Sequence, residues 1–219
     1  ASSRASRAKQ MFDDSVAEHG LPVSDRPGPE KMGTVAWRHE HGREDEVIAR
    51  IGRLHDIIVV ARPGDTEDVL TPMTLNAAIF ETGRPVLVVP PKGAGSIRKR
   101  IAISWNGSVQ SARAVSKAIR LLEQADAVMV LTAESFQTSG AVGAELTQYL
   151  RWHGVEPEIK VFESPASNVG PRLLEECDKF GADLLVQGAY THSRMRQLIL
   201  GGVTKHVLGH AEIPMFMAH

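Results

Sequence analysis

Ile101-Ala102-Ile103-Ser104-Trp105-Asn106-Gly107-Ser108 opens the stretch that decides the fold. A short apolar run ends in the turn-forming Asn106-Gly107-Ser108, and the hydrophobic period then changes. Ala112, Val115, Ala118, Ile119 and Leu122 recur at helical spacing and predict a helix over 112–122 with one apolar face. Residues 127–132 form a continuous apolar run of strand length. A second helix is predicted from about Ala141 to Trp152, stopped by Gly154, and residues 158–162 alternate as a half-exposed strand does. Residues 171–180 read as a helix with Pro171 in its first turn and Gly181 beyond its end. Leu184-Leu185-Val186 predicts a buried strand, 203–208 a short helix and 213–217 a last strand. Strands separated by helices of this length build a parallel sheet with right-handed crossovers, so the expected class is α/β.

Working back toward Ala1, the same pattern recurs. His19-Gly20-Leu21 matches His153-Gly154-Val155 at an offset of 134 residues, and Asp56-Ile57-Ile58-Val59 matches Asp183-Leu184-Leu185-Val186 at 127. Arg84-Pro85-Val86-Leu87-Val88 aligns with Glu212-Ile213-Pro214-Met215-Phe216 when the prolines are superposed, at 129. Two tandem units of doubly wound parallel sheet are expected: residues 1–91, a linker at 92–95, and 96–219. The second copy has 52 residues from Ile101 to Trp152, ahead of His153, whereas 18 precede His19 in the first. A strand–helix–strand unit of roughly 34 residues is therefore expected to be absent from the first copy, as in a piece of a longer protein.

Composition narrows the function classes. Apolar residues make up 42% and charged residues 23%, enough for a packed core, and the formal net charge is −1. Residues before Ser96 carry −2 and those from Ser96 onward +1, without the concentrated positive charge that nucleic-acid or anionic-membrane binding uses. No apolar run approaches the roughly 18 residues of a membrane span. A single cysteine, Cys177, excludes an internal disulfide and fits a reducing compartment, so the expected location is cytoplasmic.

Doubly wound sheets bind ligands at the carboxyl ends of their strands. There the loop after Gly188 ends in Gly201-Gly202 at the start of the helix expected from Val203. Glycines at a helix start let a phosphate approach free backbone N–H groups, although glycines also simply turn loops. The whole segment, Gly188-Ala-Tyr-Thr-His-Ser-Arg-Met-Arg-Gln-Leu-Ile-Leu-Gly-Gly-Val-Thr-Lys-His-Val-Leu with Pro214-Met-Phe-Met after it, resembles the C-terminal signature of the universal stress protein family. Asn106-Gly107-Ser108 is similar to that family's Asp-Gly-Ser turn. The resemblance covers residues 96–219 and, more faintly, 5–91.

The resemblance implies five strands per complete unit in the order 3-2-1-4-5, and final strands that pair across a dimer. Residues 85–89 and 214–217 are accordingly expected to pair within this chain about a pseudo-twofold axis, and a homodimer is a further possible partner state. It also implies a stress-response protein that binds ATP or another adenine nucleotide as a regulatory ligand, with Mg possible beside it. The family motif of ATP-binding members is Gly, two residues, Gly, nine residues, Gly, then Ser or Thr. Gly188 and Gly201 fit; Thr191 replaces the second glycine and Gly202 the Ser/Thr, while Asn106 replaces the adenosine-contacting Asp. The Thr191 hydroxyl and the Asn106 amide retain hydrogen-bonding heads at those places. The expected ligand residues are Asn106, Gly107, Thr132, Gly188, Thr191, Ser193, Gly201, Gly202, Val203 and Thr204. The first copy carries Arg62-Pro63-Gly64-Asp65-Thr66 with Glu67 and Asp68 in place of the glycine loop, and two acids there would repel phosphate. The alternative reading is an interaction and dimerisation module of the same family whose sites have decayed. Slow ATP hydrolysis ranks last because no general base suggests itself, so no catalytic residue is expected.

Other candidates read as structural. His206 and His210 have helical metal-ligand spacing without a third ligand in view, and surface or capping roles are preferred. Cys177 lies beside acids that would raise its pKa, as a packed thiol. Arg98-Lys99-Arg100 reads as a solvated strand edge.

Overall fold

The computed structural model describes residues 2–26, 33–62, 72–134, 141–190 and 202–219. The chain divides into two compact units, Ala1–Arg43 and Glu44–His219. The first unit holds helix α1 (Ser2–His19), a parallel bridge between Val23 and Val35, and a ring contact of 5.6 Å between Phe12 and Trp37.

The second unit runs α2 (Glu44–Gly52), β1 (Ile58–Ala61), α3 (Pro72–Glu81), β2 (Val86–Val89), β3 (Arg100–Ser104), α4 (Val109–Leu122), β4 (Ala127–Glu134), α5 (Ala141–Trp152), β5 (Glu158–Glu163), α6 (Val169–Phe180), β6 (Leu184–Gly188), α7 (Val203–His210) and β7 (Met215–Ala218). Its strands form one seven-stranded sheet in the order β1-β2-β7-β6-β3-β4-β5. Every neighbouring pair is parallel except β2 and β7, which run antiparallel with Val86 opposite Met217 and Val88 opposite Met215. Counted within β3–β7, the order is the expected 3-2-1-4-5. β1 and β2 join this five-stranded part through the β2–β7 pair.

Two apolar layers sandwich it. Ala114, Val115, Ala118 and Leu122 of α4, with Leu146 and Leu150 of α5, pack on Ile101, Ile103, Val130, Leu184, Val186 and Phe216. On the other face Leu75, Ala78 and Ile79 of α3, Leu173, Cys177 and Phe180 of α6, and Val207 of α7 pack on Val88, Leu131, Leu185 and Met215. The period-2 alternation along β6 assigns neighbouring residues to opposite layers.

Helix boundaries follow local chemistry more than apolar spacing. Helix α4 starts at Val109, ahead of the expected Ala112, because Ser108 caps it, its Oγ accepting the Ser111 N–H at 3.1 Å. Helix α6 ends at Gly181 in the left-handed region, φ 68°, a conformation that favours glycine. Cys177 is buried, and its thiol is pushed up to about 12, mainly by burial and further by Asp178 and Glu176. That makes it inert as a nucleophile. Arg98, Lys99 and Arg100 are exposed, and Arg100 also makes contacts within the fold. Its Nε donates to the Phe180 carbonyl at 2.6 Å and its guanidinium lies 4.3 Å from the Phe180 ring, tying β3 to the end of α6.

Candidate functional site

Strands β3 to β7 all point one way, so their carboxyl ends form a single rim. The chain order reverses between β3 and β6, where Ser104 stands beside Gln187 on one side and Leu131 on the other. A crevice outside such a reversal is where open α/β sheets take ligands. Just past β3, the Asn106 Oδ1 accepts the Ser108 N–H at 3.1 Å, and Gly107 has φ 71°, so the turn before α4 depends on both. The Trp105 N–H donates to the Leu131 carbonyl at 2.9 Å and holds this turn against β4.

Gly188 is required by close approach. A Cβ there would stand 2.5 Å from the Ser111 nitrogen and 2.7 Å from the Gln110 carbonyl carbon, so the end of β6 sits directly on the first turn of α4. Gly202 is the opposite case: no described residue lies within 4 Å of a Cβ built on it. It caps α7 in extended geometry without a side-chain hydrogen bond, and the first intrahelical bond is the His206 N–H to the Gly202 carbonyl at 3.2 Å. The N–H groups of Val203 and Thr204 therefore have no acceptor within the helix, and the helix dipole places positive potential there.

Two side chains join these elements. Thr204 Oγ1 accepts from the Tyr190 N–H and from Gln187 Nε2, each at 3.4 Å, which links the start of α7 to the end of β6. Gln187 was not among the expected residues, although a polar residue closing the buried run Leu184-Leu185-Val186 is a legible sign. Its Oε1 and the Oγ1 of Thr132 are the two buried side-chain polar atoms without a hydrogen-bond partner among the described residues. Gln187 is 5% exposed and Thr132 1% exposed. Both sit at carboxyl strand ends on this rim, and buried polar atoms without partners call for an explanation.

The structure therefore brings Asn106, Gly107, Thr132, Gly188, Gly202, Val203 and Thr204 to one edge of the sheet. Thr191, Ser193 and Gly201 lie outside the described residues, as do residues 63–68 of the first copy's loop. Arg62, described, donates from Nη1 to the Ala211 carbonyl at 2.5 Å. His206 and His210 stack at 4.1 Å, with the His210 Nδ1 donating to the His206 carbonyl at 2.8 Å. Burial against α6, and secondarily His210, holds the His206 imidazole below its ordinary pKa. Among the described residues no group of three or more His, Cys, Asp or Glu is placed to hold a metal ion. A cleft of about 380 Å³ opens at the opposite edge, between residues 93–96, 181–183 and 212–214. Its Asp183 is already committed, accepting the N–H groups of Lys99 and Arg100 at 2.9 and 3.0 Å. The carboxyl rim is the better candidate.

A mostly parallel sheet in this order, with its chain reversal between β3 and β6, defines a doubly wound α/β protein. The sequence model of the Universal stress protein family matches residues 98–219, and the chain belongs to that family. No curated protein sequence matches it. Among solved structures, a universal stress protein from Archaeoglobus fulgidus DSM 4304 is similar at a TM-score of 0.66 and 14% identity, over 85% of this chain and 68% of that one. The functionally unknown protein PA1789 from Pseudomonas aeruginosa PAO1 follows at 0.58 and 21%, over 97% and 77%. A putative universal stress protein from Pseudomonas aeruginosa UCBPP-PA14 gives 0.57 and 19%, also over 97% and 77%. No described helix is long and apolar enough to cross a membrane.

Proposed function

We propose that this chain is a stress-response protein of the cytoplasm that binds ATP or another adenine nucleotide at the carboxyl rim of β3, β4 and β6 as a regulatory ligand. The observation that carries this reading is the pair of buried atoms without a partner among the described residues, Thr132 Oγ1 and Gln187 Oε1, on the same rim as the start of α7. The Val203 and Thr204 N–H groups, with Gly201 and Gly202, would take the phosphates, and Thr191 and Ser193 would add hydroxyl donors. The adenosine end would reach toward Asn106, Gly107 and Thr132. Mg would accompany the phosphates of ATP. Glu44–Val89 would be the later part of a first universal-stress-like unit spanning 1–91, held to the second by the β2–β7 pair and without a nucleotide of its own.

Mg-ATP titration of the wild type and two variants tests the reading, together with assay of nucleotide released on denaturation. Because a Cβ at Gly202 meets no described residue, Gly202→Val stands a branched side chain where phosphate must approach, and its thermal midpoint checks that the fold is kept. The reading expects saturable binding by wild type, none by Gly202→Val, and unchanged or tighter binding by Thr191→Gly. Absence of binding at about millimolar ATP, in wild type and Thr191→Gly alike, would favour the interaction module instead.

A further inference from the structure

Tyr190 is the only non-glycine residue with a positive φ among the described residues, at 52°. A bulky side chain in the left-handed region is strained and persists only where the surroundings over-determine it. Three contacts from three places do so here. The Tyr190 N–H donates to Thr204 of α7, and the preceding Ala189 carbonyl accepts from the His219 Nδ1 at 2.8 Å. The third is Phe80, in the last turn of α3. Its ring lies 5.3 Å from the Tyr190 ring and 4.7 Å, edge-on, from that of His219.

Phe80 comes from the first of the two sequence copies, whereas Tyr190 and Thr204 belong to the second. The antiparallel β2–β7 pair explains the meeting. It turns the C-terminal end of α3, beside the amino end of β2, toward the carboxyl ends of β6 and β7. We propose that Phe80 is a positioning residue for the nucleotide rim: by packing on Tyr190 and His219 it holds the left-handed backbone at the exit from β6, so that the first copy sets the affinity of a site built by the second. This rests on the nucleotide reading above. Phe80 touches no ligand in this scheme and acts through Tyr190.

The test is a double-mutant cycle read by Mg-ATP affinity and by thermal midpoint. Phe80→Ala should weaken binding by about tenfold, whereas Phe80→Tyr, which keeps the ring, should bind as wild type does. Tyr190→Gly adopts the same φ without strain, so in that background Phe80→Ala should cost less than about twofold in affinity. A purely structural role would lower the thermal midpoint and the affinity equally in both backgrounds, and that result overturns the proposal. So does wild-type affinity in Phe80→Ala. If wild type binds no adenine nucleotide, the functional reading fails by itself, and amide exchange at Tyr190 decides the positioning role. Exchange about tenfold faster in Phe80→Ala upholds it, and unchanged exchange overturns it.

Discussion

At the scale of single residues, His206 connects burial to a measurable pH response. It packs so closely on Gly170 that a Cβ on that glycine would stand 2.8 Å from the His206 Cβ, and it stacks on His210. Burial, and then the neighbouring imidazole, makes the folded state resist protonating it. The unfolded chain takes up that proton near pH 6.5, so it binds more protons than the folded chain just below this value. Stability from this source is present above about pH 6.5 and is lost as the pH falls through it toward the lower folded value. Thermal midpoints should therefore drop between about pH 7.5 and 5.5, and the drop should be shallower in His206→Gln. Equal slopes in the two proteins would contradict this account. How far such residues are legible in sequence depends on the range of the interaction. Asn106-Gly107-Ser108 can be read as a turn because its chemistry is local, a side chain bonding a backbone group two residues on. The spacing of His206 and His210 is visible too, but the glycine under His206 comes from another helix, and no spacing rule supplies it.

At the scale of elements, the contact between β6 and α4 fixes the geometry of the rim. Gly188 lets the strand end rest on the Gln110–Ser111 backbone, and backbone cannot yield as a flexible side chain does. Gly188→Ala should lower stability by about 1–3 kcal/mol, the range for forcing atoms into a packed interior, as read by urea unfolding. A variant as stable as wild type would show that the two elements are looser than described. The elements themselves were legible, because periods of 2 and 3.6 report burial directly. Their ends were less so, since Ser108 begins α4 by a side-chain hydrogen bond that apolar spacing does not register. Gly188 was legible as a motif position but not in its reason. Its partner is the backbone of an element far away in sequence, and a backbone looks the same in every residue.

At the scale of the whole molecule, two valines that match in sequence stand in different surroundings. Val59 of β1 and Val186 of β6 correspond at the offset of 127, yet Val59 is 60% exposed and Val186 fully buried. Val186 lies in the apolar layer under α4, between β3 and β7. Val59 faces the same side of the sheet, opposite Leu87, on a strand that ends the sheet. Val186→Ala should cost about 1.5–3 kcal/mol and Val59→Ala no more than about 0.5, and similar losses would contradict this placement. Matched strand segments gave the expectation of a repeat, and β2 lies beside β7 in the sheet. That both strands belong to a single sheet was not readable, because pairing direction depends on edges that sequence does not display. The central claim is that the carboxyl rim of β3, β4 and β6 is a nucleotide site, and backbone amide shifts under Mg-ATP titration test it most directly. The account predicts saturable shifts concentrated at Gly107, Thr132, Gly202, Val203 and Thr204, with none at Arg62 or Val89. Shifts confined to Arg62 and Val89, or no saturable shift anywhere, would contradict it.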